Sequence, residues 1–473
     1  MLQQIHFGVN SYKAKSGLVS AERLVNCYAE ITPQTSSFPN MVLGTAGLTV
    51  WKDTSVSLPV YGMRVMGENL FVVVGNKVYK IDSSKTQTLL GEITSEIGRV
   101  IMTDNGDQVT IELPDGTTYY CTATASSLTQ ITDGDFNDSG SITTLDGFTI
   151  SALIDSNEFQ WSDVNNTQNW NASNAATVEA NSSKIVRVYQ NNLELWFFKE
   201  DIIQVYYNTG SGSPLFQRKE GVYIEKGCAS KYSVATLDNS FFFLGNDRIV
   251  YQTIGYQLKP ISTFPISQEI EKYEVINDAI GFTYVQDGHK QYCLSFPSEN
   301  KTWEYDITTE LWHERESLDN QNRDGRWRAN CQAYFAGKNL VGDFQTGIIY
   351  ELDPDVYTEN GTVIKREIIG TTMFKNFARM NLNKFVVMMD TGVGIATGQG
   401  SDPQIVGRFS DNGGKTYTDE LWQPIGAEGS FLTELFWTKI GGKARSFIAK
   451  LNYSEPTKFH VVGAFVEVET EDD

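Results

Sequence analysis

The chain reads as an all-β protein: a β-propeller of six or seven irregular blades, with length enough for an eighth, followed by a C-terminal antiparallel β-sandwich. Three observations predict this. Apolar and aromatic residues alternate with polar ones at period two along much of the 473 residues, which is the pattern of strands and not of helices. Strand–turn–strand units recur at spacings of roughly 35 to 50 residues, the period of propeller blades. Tyr (22) and Phe (26) are abundant, as strand-rich folds favour.

The clearest unit is residues 189–207. Leu193, Leu195 and Phe197 alternate with Glu194 and Trp196, a polar turn follows at Lys199-Glu200-Asp201, and Ile203, Val205 and Tyr207 alternate again. An isolated hairpin is marginal in water, so this one requires neighbours. In chain order, residues 1–58 form an N-terminal segment that wraps or closes the domain after it. Residues 59–355 carry the blades. Leu70–Val74 and Lys77–Ile81 flank Gly75-Asn76, and Phe241–Leu244 and Arg248–Tyr251 flank Gly245-Asn246-Asp247; such turn residues tolerate positive φ. Looser units pair Val109–Leu113 with Thr117–Tyr120, Phe148–Ile154 with Glu158–Trp161, Gln291–Phe296 with Trp303–Ile307, and Ala333–Phe335 with Ile348–Leu352. The run from Trp303 to Trp312 ends as blades commonly do, with an aromatic strand, an Asp-x-x-Thr turn and a Trp to pack between blades. A turn-rich stretch from Asp353 to Gly361 marks a boundary. Residues 356–473 then supply sandwich strands at Lys384–Met389, Ile405–Ser410, Leu435–Ile440, Arg445–Tyr453 and Phe459–Val468, a domain of about 110 residues. Helix is expected only in short pieces such as Gln268–Glu274, and the acidic end Glu467–Asp473 reads as a frayed terminus.

Composition narrows the function. Cys27, Cys121, Cys228, Cys293 and Cys331 are scattered with no CxxC pair, as in reduced proteins made in a cytoplasm. Met1–Asn10 lacks the basic start and apolar core of a signal peptide, so triplets such as Asn171-Ala172-Ser173 read as chance matches. No apolar run reaches the roughly 20 residues of a membrane span. Net charge is −20, which argues against gripping nucleic acid through phosphate neutralisation.

Four patterns invite a chemical reading. Ser410, Asn412, Gly414, Thr416 and Tyr417 fit an Asp-box, a device in which turn side chains bond the turn's own backbone. Asp133, Asp135, Asn137 and Ser139 alternate as in a calcium loop, but Asp138 stands where glycine is needed and Thr144 where glutamate is needed, so a solvated loop is expected. The histidines, His6, His289, His313 and His460, form no HxH or HExxH set. No metal site, cofactor or catalytic residue is assigned. Arg315, Arg323, Arg326, Trp327 and Arg328 form a basic-aromatic cluster, read either as a partner-contact loop or as a solvated inter-blade loop.

Two terminal segments go beyond pattern. Arg23-Leu24-Val25-Asn26-Cys27-Tyr28-Ala29-Glu30, followed by Gly44-Thr45-Ala46-Gly47-Leu48, resembles the "RLVN-x-Y-x-E … TPGL" opening of the packaged-DNA-stabilisation proteins, the tail-hub (tail accessory, nozzle) proteins of short-tailed bacteriophages. Gly442–Phe447, Ser454–Phe459 and Gly463–Glu469 are similar to that family's closing strands, with Ala46 where the family usually has Pro and Glu455 where it often has Asp. The resemblance implies a structural virion protein, not an enzyme. It implies a subunit of a hexameric ring below the portal and its adaptor that retains packaged DNA, conducts it during ejection without sequence-specific binding, and carries tail fibres, spikes or a plug. It places the protein in the virion tail after synthesis in the host bacterial cytoplasm, with no membrane insertion and no cofactor. The alternative is a propeller-type glycan-binding or sialidase-like tail glycosidase, which repeated Asp-boxes or an arginine triad would favour.

Overall fold

A computed structural model describes residues 2–470 apart from 34, 95–96, 125, 180, 212–213, 376–377 and 439. The architecture is a β-propeller joined to a β-sandwich. Five four-stranded sheets (residues 60–92, 101–130, 139–177, 185–218 and 235–260) and the four-stranded parts of two larger sheets (280–314, and 329–353 with Gly47–Asp53) give seven blades. Within the first six blades the strands pair antiparallel in chain order, and the first strands line the centre of the ring. Middle strands are buried on both faces: Leu70 to Val74 in blade 1 and Phe241 to Leu244 in blade 5 are essentially inaccessible, which explains apolar runs in place of clean alternation. Blade 7 is completed by the N-terminal strand Gly47–Asp53, paired antiparallel with Ile348–Asp353. That pairing ties the two ends of the ring together and leaves no open edge there.

The sandwich draws on both ends of the chain. One sheet holds Leu2–Ile5, Cys27–Ile31, Asn40–Gly44, Met380–Met389, Leu435–Trp437, Lys443–Ala444 and His460–Thr470. The other holds Ala21–Val25, Arg366–Ile369, Gln404–Ser410, Leu421–Pro424 and Ile448–Tyr453. Phe385, Phe409, Trp437 and Phe447 stack between them, with ring centroids 5.4–6.1 Å apart.

Several details differ from the sequence reading. Leu193 is not a strand residue: it is exposed at φ 61 beside Asn192 at φ 51, because the hairpin needs two left-handed turn positions there. Ala333–Phe335 does not pair with Ile348–Leu352; Lys338–Asp343 lies between them and pairs with both. The helix spans Phe264–Glu271, begun early because Pro265 presets φ for a first turn. The C-terminal acidic run is not frayed as far as Thr470, since Met380–Leu382 pairs with Val468–Thr470; residues 471–473 lie outside the described residues.

Candidate functional site: the joint between propeller and sandwich

Residues 21–31 connect the two halves. Asn26 takes φ 52, a left-handed position that asparagine tolerates better than branched residues. The resulting kink separates Ala21–Val25 from Cys27–Ile31 and sends them to opposite sheets of the sandwich. On the propeller side, Val25 pairs in parallel with Glu314, at the outer strand of blade 6. On the sandwich side, Arg23–Val25 pairs antiparallel with Glu367–Ile369. One sheet of ten strands therefore runs from blade 6 into the sandwich.

Side chains lock this seam. Arg23 donates to both carboxylate oxygens of Glu314 at 2.7 Å, to Glu316 at 2.9 Å and to Glu367 at 3.0 Å. Burial works against its charge, but the three carboxylates outweigh that and hold the guanidinium above its ordinary range. Glu367 is held below the usual carboxylate range: burial pushes it up, and Arg23 and Lys450 more than reverse this. Asn26 Nδ2 donates to the carbonyls of Glu316 (2.9 Å) and Lys365 (2.8 Å), and its Oδ1 accepts from the Glu316 amide. Leu24, Val25 and Cys27 are buried, with Leu24 and Cys27 in the sandwich core, and burial pushes the Cys27 thiol up to about 12.

Beneath the seam lies a buried ionic cluster. Glu304 is fully buried between Trp303 and Tyr305 on a blade 6 strand. It accepts from Tyr284 Oη (2.5 Å), His313 Nε2 (2.8 Å) and Arg315 Nη1 (3.1 Å). Burial alone would raise its carboxyl; Arg315 and the hydrogen bonds from His313 and Tyr284 bring it down to about 2. Nearby, His289 Nδ1 lies 2.6 Å from Asp306 Oδ2, and that bond holds the imidazole above its ordinary range against the effect of burial. Tyr28 packs on His289, centroid to centroid 4.8 Å. Tyr28, Tyr284, His289, Glu304, His313 and Arg315 line a cavity of about 490 Å³ that also touches His460 of the sandwich. Acids and bases converge here, yet Glu304 is fixed as a carboxylate with three donors on it. The hydrogen bonds tie Tyr284, His313 and Arg315 together within the blade 6 region, and Tyr28 of the sandwich sheet joins through its ring contacts with His289 and His313; a carboxylate so depressed is a poor proton donor or acceptor near neutral pH.

The basic-aromatic cluster is mostly neither a contact loop nor a solvated one. Trp327 is fully buried, with Arg315 stacked 3.9 Å over its ring. Arg328 bonds Asp343 at 2.8 Å and the Leu318 carbonyl, and Arg326 lies 3.9 Å over Phe344. Asp343 pairs Arg328 and aromatic rings face Arg315 and Arg326, while Nε of Arg315, Nε of Arg328 and Nη1 of Arg326 are covered without a hydrogen-bond partner, and burial pulls Arg326 down to about 10. Arg323 is exposed and bonds Asp319. The Asp-box residues close a turn: Ser410 Oγ accepts from the Gly414 amide (2.9 Å), Asn412 Oδ1 from the Thr416 amide (3.0 Å), and Asn412 Nδ2 donates to Thr416 Oγ1. Tyr417 stands beside it, its hydroxyl 3.4 Å from where a side chain at Gly414 would begin. Asp133 spends its oxygens on the amides of Asp135 and Trp170, and among the described residues no group of three or more His, Cys, Asp or Glu is placed to hold a metal ion. In the blade 6 turn, Thr308 and not Thr309 bonds the backbone, while Trp312 packs against blade 5 and donates to the Ile261 carbonyl. Sequence reasoning missed Glu304 and His313; the available signal was a glutamate set between two aromatics in a strand buried on both faces.

Residues 4–357, the N-terminal segment and the propeller, match the phage-stabilisation family described as bacteriophage P22 Gp10, beta-propeller. The chain belongs to that family. It is a phage DNA-stabilisation tail protein, and the RLVN stretch that resembles the family's opening is the seam just described. No curated protein matches the chain. Among solved structures, YCF48 from Cyanidioschyzon merolae is 13% identical over 65% of this chain and 99% of that one, with a TM-score of 0.41. BamB from Moraxella catarrhalis is 10% identical over 74% and 97%, with a TM-score of 0.38. The designed protein Ika8 is 10% identical over 70% and 99%, with a TM-score of 0.37.

Proposed function

We propose that the chain is one subunit of a hexameric tail hub, or nozzle, seated below the portal and its adaptor in a short-tailed phage. In the virion it retains packaged DNA, conducts it during ejection, and anchors fibres, spikes or a plug. The observation that carries this reading is the continuous sheet from blade 6 into the sandwich, clamped by Arg23: it makes the subunit a single stiff wedge, as a ring under internal pressure requires. Its work is contact and shape, not bond-making. The net charge of −20 supports the same reading, because a net negative lumen repels phosphates and lets DNA slide, whereas a basic wall would bind and stall it. No helix among the described residues is long and apolar enough to cross a membrane.

Electron microscopy of the assembled tail tests this. Six copies around an acidic channel between the adaptor and the tail tip are expected. A different symmetry, a basic channel wall, or a position away from the DNA path would overturn the proposal.

A further inference from the structure

The inner strands of the propeller surround an axial funnel of about 360 Å³ whose charge is opposite to that of the whole chain. Arg64, Arg99, Arg187 and Lys231 line it, and no carboxylate is among the described lining residues, in a chain of net charge −20. The funnel has a floor. Lys231 and Tyr232, just before blade 5, reach across the axis: Lys231 Nζ donates to Glu112 Oε1 of blade 2 (3.1 Å) and the Gly140 carbonyl of blade 3 (3.3 Å), and Tyr232 Oη donates to the Arg99 carbonyl (2.8 Å).

The cations are unequally satisfied. Arg64 is neutralised by Asp104 at 2.6 Å. Lys231 shares Glu112, a fully buried carboxyl that burial pushes up to about 7 in spite of the lysine. Arg99 donates from Nη1 to the Asn330 carbonyl, a neutral acceptor. Arg187 has a ring, Tyr189, 5.0 Å away, but its Nε and Nη1 are covered without a hydrogen-bond partner, as is Nε of Arg99. Nε and Nη1 of Arg187 have thus lost water without gaining an acceptor, and this is costly on a charged group. Burial, with some repulsion from Arg99, pulls it below the ordinary guanidinium range. The side chain as a whole is half-buried and lines the funnel.

We propose that the funnel is a binding site for a small phosphate-class oxyanion, anchored by Arg187 with Arg99 and Lys231 beside it. Guanidinium groups suit tetrahedral oxyanions because their planar donors match adjacent oxygens. The volume is that of a small-ligand pocket and too small for a DNA helix. The site is separate from the acidic lumen proposed for the ring, because it lies on the axis of each propeller.

The test is calorimetric titration of the full chain with pyrophosphate, at low and at physiological salt. Saturable binding at one site per chain is expected, with affinity reduced at least tenfold in Arg187→Gln and unchanged in Arg323→Gln. If Arg187→Gln does not fold, tungstate bound to the unaltered chain decides the question: its anomalous signal belongs inside the funnel. Absence of saturable binding, wild-type affinity in a folded Arg187→Gln, tungstate only on the outer surface, or displacement of pyrophosphate by duplex DNA would each overturn the assignment.

Discussion

Replacing Glu304 by leucine keeps a side chain of similar bulk and removes the carboxylate on which Tyr284, His313 and Arg315 converge. The structure gives two routes to the magnitude. Leaving a buried guanidinium without its partner costs about 3–5 kcal/mol. Independently, the drop of the carboxyl from its ordinary 4.5 to about 2 corresponds to about 3 kcal/mol of preference for the ionised form. The two agree, so Glu304→Leu is expected to destabilise by about 3–4 kcal/mol. Arg315→Met should cost a similar amount, because it strands the carboxylate. The double variant should be more stable than either single one, retaining a loss of about 1–3 kcal/mol for the unpaired Tyr284 and His313. The assay is urea unfolding followed by tryptophan fluorescence, since Trp327 packs on Arg315 and Trp303 and Trp312 adjoin Glu304 and His313 along their strands, with slopes compared to verify the cooperative transition. The sign with pH follows: a carboxyl depressed in the fold stabilises above pH 4.5, and that contribution fades as pH falls from 4.5 toward 2. Glu304→Leu should therefore flatten the acid limb of the stability curve. Costs that simply add in the double variant, or a single-variant loss below about 1 kcal/mol, would refute the idea that this cluster is a coupled brace.

Three further outcomes are expected. Arg23→Ala leaves Glu314, Glu316 and Glu367 facing one another at the seam; a loss of about 2–3 kcal/mol, discounted for the partial exposure of Arg23, should come with faster proteolysis between propeller and sandwich, and unchanged protease resistance would contradict the clamp. Leu193→Gly should stabilise by about 0.5–1 kcal/mol, because it relieves a left-handed leucine that buries little; a lower unfolding midpoint would count against that turn. Glu112 has its folded value raised to about 7, so it makes stability decline as pH rises from 4.5 to about 7. Glu112→Gln should abolish that decline, and an unchanged pH profile would show that Glu112 is not the group responsible.

How much was legible depended on whether the determinant was local. Hairpins such as Leu70–Ile81 announce themselves because alternation and turn chemistry lie within a dozen residues, and the Asp-box turn at 410–417 bonds only itself. Arg326, Trp327 and Arg328 misled because a run of charges looks solvated. Their partners, Phe344, Arg315 and Asp343, lie 12 to 18 residues away along the chain and meet them only when blades 6 and 7 are packed together. The burial of Glu304 was hinted at by Trp303 and Tyr305 on either side of it, but a carboxylate in a strand shows no sign of the three donors that reach it.

By itself, the amino-acid order determined strand character, the recurrence of blades and the opening stretch that resembles a phage family, because each rests on periodicity or short-range identity. The tertiary structure decided the seven-blade ring, the closure of blade 7 by Gly47–Asp53, the single sheet shared by propeller and sandwich, and the cationic funnel inside an acidic chain. Those depend on which distant strands become neighbours. Charge balance and burial are properties of a site in space, set by what packs around it.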